Sequence, residues 1–284
     1  MTAYLNGEFL DADACVISAL DRGFLFGDSV YEVLPIYRGT VFRCEDHLRR
    51  LDYSLTSVGI DNPKSDAKWK AVFSELIKRS GLTNLSIYLQ ISRGQAPIRA
   101  HRPVAGLRPT VFVMTMPEWI IPEEMIKGGA RVITAKDVRW GRCDIKSTNL
   151  LANVMLGMQP GDNTIYEVIM IDGDYVTEGT SSNVFIVRNH HLYTPPLSAK
   201  VLAGITRKVV IEIASQLQIP CTEKNLRYTD LLHADEIWLS SSTRNIVSVT
   251  NIDKQQVGTG KPGEVWSEFS AALIKSSVAD ATVL

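Results

Sequence analysis

The 284-residue chain has no pair of cysteines at metal-binding or redox spacing. Cys15, Cys44, Cys143 and Cys221 lie far apart, with no CxxC pair and no histidine near enough to complete a zinc site. No metal is therefore expected, and reduced thiols in a cytoplasmic protein are the plain reading. A surplus of either charge is also lacking. Thirty Lys and Arg stand against 31 Asp and Glu, a formal net charge of −1, so composition points to no nucleic-acid partner and no membrane surface. The opening stretch "MTAYLNGEFLDADA" has neither the basic start nor the apolar core of a signal peptide. No apolar run reaches the length of a membrane span, and no internal repeat or low-complexity tract is present.

What remains is 45% hydrophobic and 21% charged, enough for one large domain or two smaller ones with a buried core. "AYL", the turn pair Asn6-Gly7 and "EFL" read as a hairpin. Alternation through Val30, Glu32, Leu34 and Ile36, then Arg38-Gly39, predicts two paired strands. Leu48, Leu51, Leu55 and Val58 fall at helical spacing, closed by Gly59, and a second helix runs from about Asp66 to Ser80, stopped by Gly81. "LSIYLQISRG" and "PTVFVMTM" read as strands. "PEWIIPEE" brackets an apolar trio with Pro117 and Pro122 and reads as a linker. The expected division is a small domain over 1–118, a linker over 119–123 and a larger domain over 124–284. In the second part, "ARVITAKDVRW", "YEVIMID", "YVTEGTSSNVFIV" and "DEIWLSSSTRNIVSV" predict β-structure. Helices are expected from about Thr148, over "GITRKVVIEIASQL" and over "GEVWSEFSAALIKSSVA". Strands and helices mix without regular βαβα alternation, so the fold class is α+β.

Several residues have the chemistry for a site. In "RWGRCDIKSTNLL", Lys146 ends an extended segment where a helix is expected to begin, a poor place for a merely solubilising charge. Partly desolvated, its amine condenses with an aldehyde; otherwise it reaches to water. Glu178 in "VTEGTSSNVF" either holds a pyridine nitrogen protonated or faces outward beside a turn. Gly204, Ile205 and Thr206 open a helix whose free N–H groups and dipole suit an anion, or Thr206 simply caps it. The hydroxyls of "SSST", 240 to 243, and the guanidinium of Arg50 extend that anion site, unless Arg50 pairs with Asp46 one turn away. In "GQAPIRAHRP", Arg99, His101 and Arg102 crowd a loop with no acidic residue, which either captures a carboxylate or is an exposed basic loop. His190-His191 follows Asn189 at an expected hairpin turn and reads as surface. A lysine, a ring-nitrogen carboxylate, a phosphate cup and a carboxylate trap are the parts that pyridoxal phosphate needs to act on an amino acid.

With "DRGFLFGDSVYEV", "RCDIKSTNLL", "VTEGTSSNVF" and "LAGITRKVV" in that order, the chain resembles the class IV (fold-type IV) pyridoxal-phosphate aminotransferases over nearly its whole length. Within them it is most similar to bacterial D-amino acid transaminases. The resemblance implies two α/β domains with pyridoxal 5′-phosphate between them, and a homodimer. It implies that Lys146 carries the cofactor and shuttles a proton, and that Glu178 pairs with the ring nitrogen. Arg50, Ile205, Thr206 and Ser242 would hold the phosphate, Ile205 and Thr206 through backbone N–H, and Ser181 would also bind the cofactor. Tyr31, with Arg99 and His101 from the partner subunit, would trap the substrate carboxylate. Val33 stands where branched-chain L-aminotransferases usually carry glycine, and Leu151 stands where they have a tyrosine. Both departures argue against the L-selective branch, and the resemblance implies a D-amino acid and a 2-oxo acid such as 2-oxoglutarate or pyruvate as substrates. The rival expectations are a branched-chain L-amino acid aminotransferase, an (R)-amine transaminase, an aminodeoxychorismate lyase and a non-catalytic pyridoxal-phosphate-binding regulator.

Overall fold

A computed structural model describes residues 1–159, 161–162, 164–279 and 281–282. The chain divides into two compact units. The first contains Met1–Trp119, the short segment Ile145–Asn149 and the residues from Ser277 onward; the second contains Ile120–Asp144 and Leu150–Ser276.

The first unit opens with the expected hairpin, β1 (Thr2–Leu5) and β2 (Glu8–Asp11), followed by a 3₁₀ turn at Ala12–Ala14. A five-residue helix, α1 (Arg22–Phe26), comes next. Periodicity does not foresee it, because it is held by local chemistry: Asp21 accepts from the Gly23 N–H at 2.8 Å, and Gly27 closes it at φ +65°. The strands β3 (Ser29–Tyr37) and β4 (Thr40–Phe42) pair as expected. Then come α2 (Cys44–Ser57), α3 (Asp66–Ser80), β5 (Leu85–Ser92) and β6 (Thr110–Pro117). Gly81, at φ +67°, ends α3 behind Lys78 and Arg79, cations suited to a helix C-terminus. All pairings in this sheet are antiparallel. The buried face of α2 (Leu48, Leu51, Leu55) and that of α3 (Trp69, Phe73, Leu76) pack with Val30, Leu34, Ile36, Ile87 and Leu89 into one core.

The second unit begins with α4 (Glu123–Gly128), a short helix at the edge of the Pro-bracketed stretch read as linker. It continues through β7 (Ala130–Lys136), α5 (Leu151–Met158), β8 (Ile165–Asp172), β9 (Tyr175–Gly179), β10 (Asn183–Arg188) and β11 (His191–Thr194). Next are α6 (Ile205–Gln216), β12 (Cys221–Glu223), α7 (Tyr228–Leu232), β13 (Glu236–Ser241), β14 (Asn245–Ile252) and β15 (Gln255–Gln256). The closing helix is α8 (Glu264–Ala279), and β16 (Ala281–Thr282) adds to β4 in the first unit's sheet. The seven strands of the first sheet run in the order β16-β4-β3-β5-β6-β1-β2. The second sheet is mixed: β12-β11-β10-β13-β14-β7-β8-β9, with β15 on β14 and parallel pairs at β11–β12, β14–β7 and β7–β8. The architecture is α+β.

One expectation is corrected. The helix after Lys146 starts at Leu151, not near Thr148. Residues 146–148 instead lie along β3: the Tyr31 N–H donates to the Lys146 carbonyl at 2.9 Å, and the Thr148 N–H donates to the Ser29 carbonyl at 3.1 Å. Backbone committed to a neighbouring strand cannot also begin a helical ladder.

Candidate active site

In the first unit, Ile145 is buried in the core and seats the segment that carries Lys146. The Lys146 N–H donates to Ser54 Oγ on α2 at 3.2 Å, so its main chain is held from both sides. Lys146 is half-buried, and its Nζ lies 4.2 Å from the centroid of the Tyr31 ring. Tyr31 and Val33 share one face of β3, opposite Gln90 and Tyr88 on β5. The Tyr31 and Tyr88 rings are 5.8 Å apart; Tyr88 donates to Gln90 Oε1 at 2.7 Å, and burial pushes its phenol up to about 12.

Arg50 is buried on α2 and meets the buried Glu32 of β3. Its Nε and Nη2 donate to Glu32 Oε1 and Oε2 at 2.7 and 2.8 Å. His47 Nδ1 is 2.8 Å from Glu32 Oε2. Burial opposes ionisation of Glu32, but the charge and hydrogen bonds of Arg50 and the bond from His47 outweigh it and hold the carboxyl well below its ordinary range. Burial holds His47 below its ordinary value despite Glu32. Glu32 carries no role in the sequence reading, although its pattern signals one: a carboxylate in phase with Val30, Leu34 and Ile36 must be buried and must find a cation.

Arg99 and His101 form another group in this unit. Both are exposed, and both meet the half-buried Phe26 of α1: the Arg99 guanidinium is 5.0 Å from the ring centroid, and the His101 ring stands edge-on at 5.5 Å. Arg102 is exposed on the same loop.

In the second unit, Glu178 is buried near the end of β9. Oε1 is salt-bridged to Arg139 Nη1, and Oε2 accepts from Asn183 Nδ2 at 3.1 Å and from the Leu202 N–H at 2.9 Å. Arg139 is held in turn by Asp137, at 2.8 Å from Nη2 to Oδ2, and Thr177 donates to that carboxylate at 2.9 Å. Arg139 also carries no role in the sequence reading; nothing in its local pattern distinguishes it from a surface arginine.

Ile205 and Thr206 are the first residues of α6, with Gly204 as N-cap and no side-chain cap. Their N–H groups have no carbonyl of their own helix to donate to. A Cβ on Gly204 would stand 2.0 Å from Asn183 Oδ1, so the approach to this helix start is open only to glycine. Ser181 and the turn carrying Ser242 are linked through Arg244, which donates to Ser181 Oγ and, at 3.3 Å, to Ser241 Oγ. Ser181 N–H and Ser182 Oγ donate to Glu167 Oε1 at 2.7 and 2.8 Å. Among the described residues no group of His, Cys, Asp or Glu is arranged to hold a metal ion. Nor is any helix among them long and apolar enough to cross a membrane.

Each unit carries residue types suited to a phosphorylated pyridine aldehyde: Lys146 in the first, and a buried salt-bridged carboxylate and a glycine-capped helix start in the second. The chain matches the model of the family Amino-transferase class IV over residues 29–252 and belongs to that family. It is 39% identical to a D-alanine aminotransferase of Bacillus licheniformis over 280 residues, covering 99% of this chain and 98% of that protein. Among solved structures it is similar to the branched-chain amino acid aminotransferase of Escherichia coli, with TM-score 0.88, 25% identity and coverage of 99% and 95% of the two chains. The PLP-bound form of a hypothetical aminotransferase from Mycobacterium tuberculosis has TM-score 0.85 and 24% identity, with 99% and 100% covered, a likeness of fold.

Proposed function

We propose that this protein is a pyridoxal 5′-phosphate-dependent D-amino acid transaminase. It moves the amino group of a D-amino acid, such as D-alanine or D-glutamate, to a 2-oxo acid such as 2-oxoglutarate or pyruvate, in two half-reactions. The observation that carries this reading is Lys146, anchored by the core residue Ile145 and set over Tyr31, in a chain 39% identical to a D-alanine aminotransferase.

When bound, the cofactor supplies an electron sink for the charge left on the substrate Cα. Lys146 would hold the cofactor through its amine and, when that amine is free, would serve as the base that takes the proton from the substrate Cα. Glu178 would pair with the ring nitrogen, and Arg139 keeps that carboxylate in place through its salt bridge. The N–H groups of Ile205 and Thr206, with Arg50 and Ser242, would hold the phosphate, and Ser181 would add to the cofactor's contacts. Tyr31 binds the substrate carboxylate with Arg99 and His101 of a second copy, and the end of the site that holds this carboxylate sets handedness. Val33 lines the side-chain pocket. By chain order we assign residues 1–118 to a small domain, 119–123 to a linker and 124–284 to the cofactor-binding domain, with 145–149 and the residues from 277 grouping with the first unit. The enzyme is a cytoplasmic homodimer, a reading supported by its free cysteines and by strongly exposed apolar side chains such as Phe24 and Ile98.

The test is the visible spectrum of the purified protein, followed after D-alanine or L-leucine in separate cuvettes. Loss of the absorbance of the lysine-bound cofactor with D-alanine, and not with L-leucine, is the expected result. Loss only with L-leucine would move the enzyme to the branched-chain branch. No visible band after adding pyridoxal phosphate would end the reading.

A further inference from the structure

The connection between β5 and β6 runs from residue 93 to 109 without helix or strand of its own, unusually long for a structureless segment in a compact fold. Its two ends are clamped. Gly94, at φ +99°, lies so close to the other end that a Cβ there would stand 1.9 Å from the Arg108 carbonyl oxygen. Arg93 donates to Asp28 through Nε and Nη2 at 2.8 and 2.9 Å, and to the carbonyls of Gly59 and Val58 at 2.7 and 2.6 Å.

The apex is held differently. Arg22 is only 4% exposed, and its guanidinium is spent on three acceptors. Nε donates to Asp28 Oδ2 at 2.7 Å, Nη1 to the Ala100 carbonyl at 2.6 Å and Nη2 to the His101 carbonyl at 2.8 Å. Its main-chain N–H donates to the Gly94 carbonyl at 3.0 Å. The helix that carries it is fixed to the sheet: Asp21 accepts from Ser92 Oγ at 2.9 Å and from Thr110 Oγ1 at 2.6 Å, on the strands flanking the loop. Phe26, one turn on, meets Arg22 at 4.8 Å as well as Arg99 and His101. A buried arginine costs desolvation, and its planar fork of donors fits two successive carbonyls as no lysine can.

We propose that Arg22 is a positioning residue for substrate recognition. By gripping the Ala100 and His101 carbonyls from beneath, with Phe26 as the surface on which the side chains rest, it sets the direction in which Arg99 and His101 reach a substrate carboxylate. The inference rests on the carboxylate role proposed for Arg99 and His101. It adds that Arg22 and Phe26 act on substrate affinity through the loop.

The experiment is saturation kinetics of D-alanine on the holoenzyme for Arg22→Lys, Phe26→Leu, Arg99→Ala and the Arg22→Lys/Arg99→Ala pair. Arg22→Lys keeps the charge beside Asp28 and loses the two-carbonyl grip. It should raise KM about tenfold with kcat changed less than about threefold, the signature of lost binding common to ground and transition states. Phe26→Leu, which leaves every Arg22 hydrogen bond in place, should raise KM in the same direction. Added to Arg99→Ala, Arg22→Lys should raise KM no further, because both act through one contact. Unchanged KM in Phe26→Leu, or in a folded Arg22→Lys, while Arg99→Ala raises it, overturns the inference and leaves the carboxylate role standing. Lowered melting temperature and kcat at constant KM also overturn it, marking Arg22 as structural only. An Arg99→Ala enzyme with native KM removes the carboxylate reading itself.

Discussion

Glu32 and Arg50 face each other through two parallel hydrogen bonds, Oε1 to Nε at 2.7 Å and Oε2 to Nη2 at 2.8 Å. One comes from β3 and the other from α2, and both are buried. A pair enclosed in this way contributes little net stability compared with apolar packing, but breaking it on one side leaves an unmatched charge in the interior. Glu32→Gln should therefore destabilise the protein by about 3 kcal/mol. Urea denaturation of mutant and parent measures this, and a shift no larger than that of a surface substitution would contradict it.

The histidine beside this pair gives stability a pH dependence. Burial holds His47 below its ordinary value, against Glu32 and with Arg50 and Lys146 also disfavouring its charge. With the folded value depressed, the unfolded chain takes up the proton first as pH falls. Stability is then full above about pH 6.5 and declines below it. Glu32, whose folded value is also depressed, adds a further loss once pH drops below its ordinary value of about 4.3. Denaturation midpoints across this range should fall in these two stages, and His47→Gln should remove the upper one. A midpoint flat through the histidine range would refute the assignment.

Arg139 places one guanidinium between two buried carboxylates, Asp137 and Glu178. Asp137 is held below its usual range: burial works against this, and Arg139 with Thr177 prevails. Glu178→Gln removes the charge proposed to face the ring nitrogen and should slow amino transfer about a hundredfold or more in single-turnover assays, on the scale of other fixed electrostatic groups. An unchanged rate would detach Glu178 from the chemistry.

Gly204 opens α6 with Asn183 Oδ1 where its side chain would be. Gly204→Ala should displace the helix start and weaken pyridoxal-phosphate affinity about tenfold, or about 1.4 kcal/mol. Equilibrium dialysis against free cofactor measures it. Gly141, where an added Cβ would meet no atom within 4 Å, is the control whose alanine variant should bind normally.

Much of the fold is legible in sequence because it is written in local rules. The hairpin turn at Asn6-Gly7, the apolar stripe of α2 and the stop at Gly81 each follow from a few adjacent residues. The helices α1 and α4 are not legible, since each is too short to show a period. The helix start after Lys146 is hidden for a different reason. Pairing of 146–148 with β3 competes with helix formation, and that competitor lies over a hundred positions away in the chain.

By itself the sequence determined the chemistry available: a lysine set among small polar residues, a carboxylate before a glycine, a glycine-led helix start and a basic loop. These residue types carry their reactivity wherever the chain goes. Tertiary structure alone decided their partners: Glu32 for Arg50, Arg139 for Glu178, and Arg22 for the carbonyls of the loop bearing Arg99 and His101. An ion pair or a carbonyl grip depends on distance and exclusion of water, and both exist only once strands and helices have brought remote residues together.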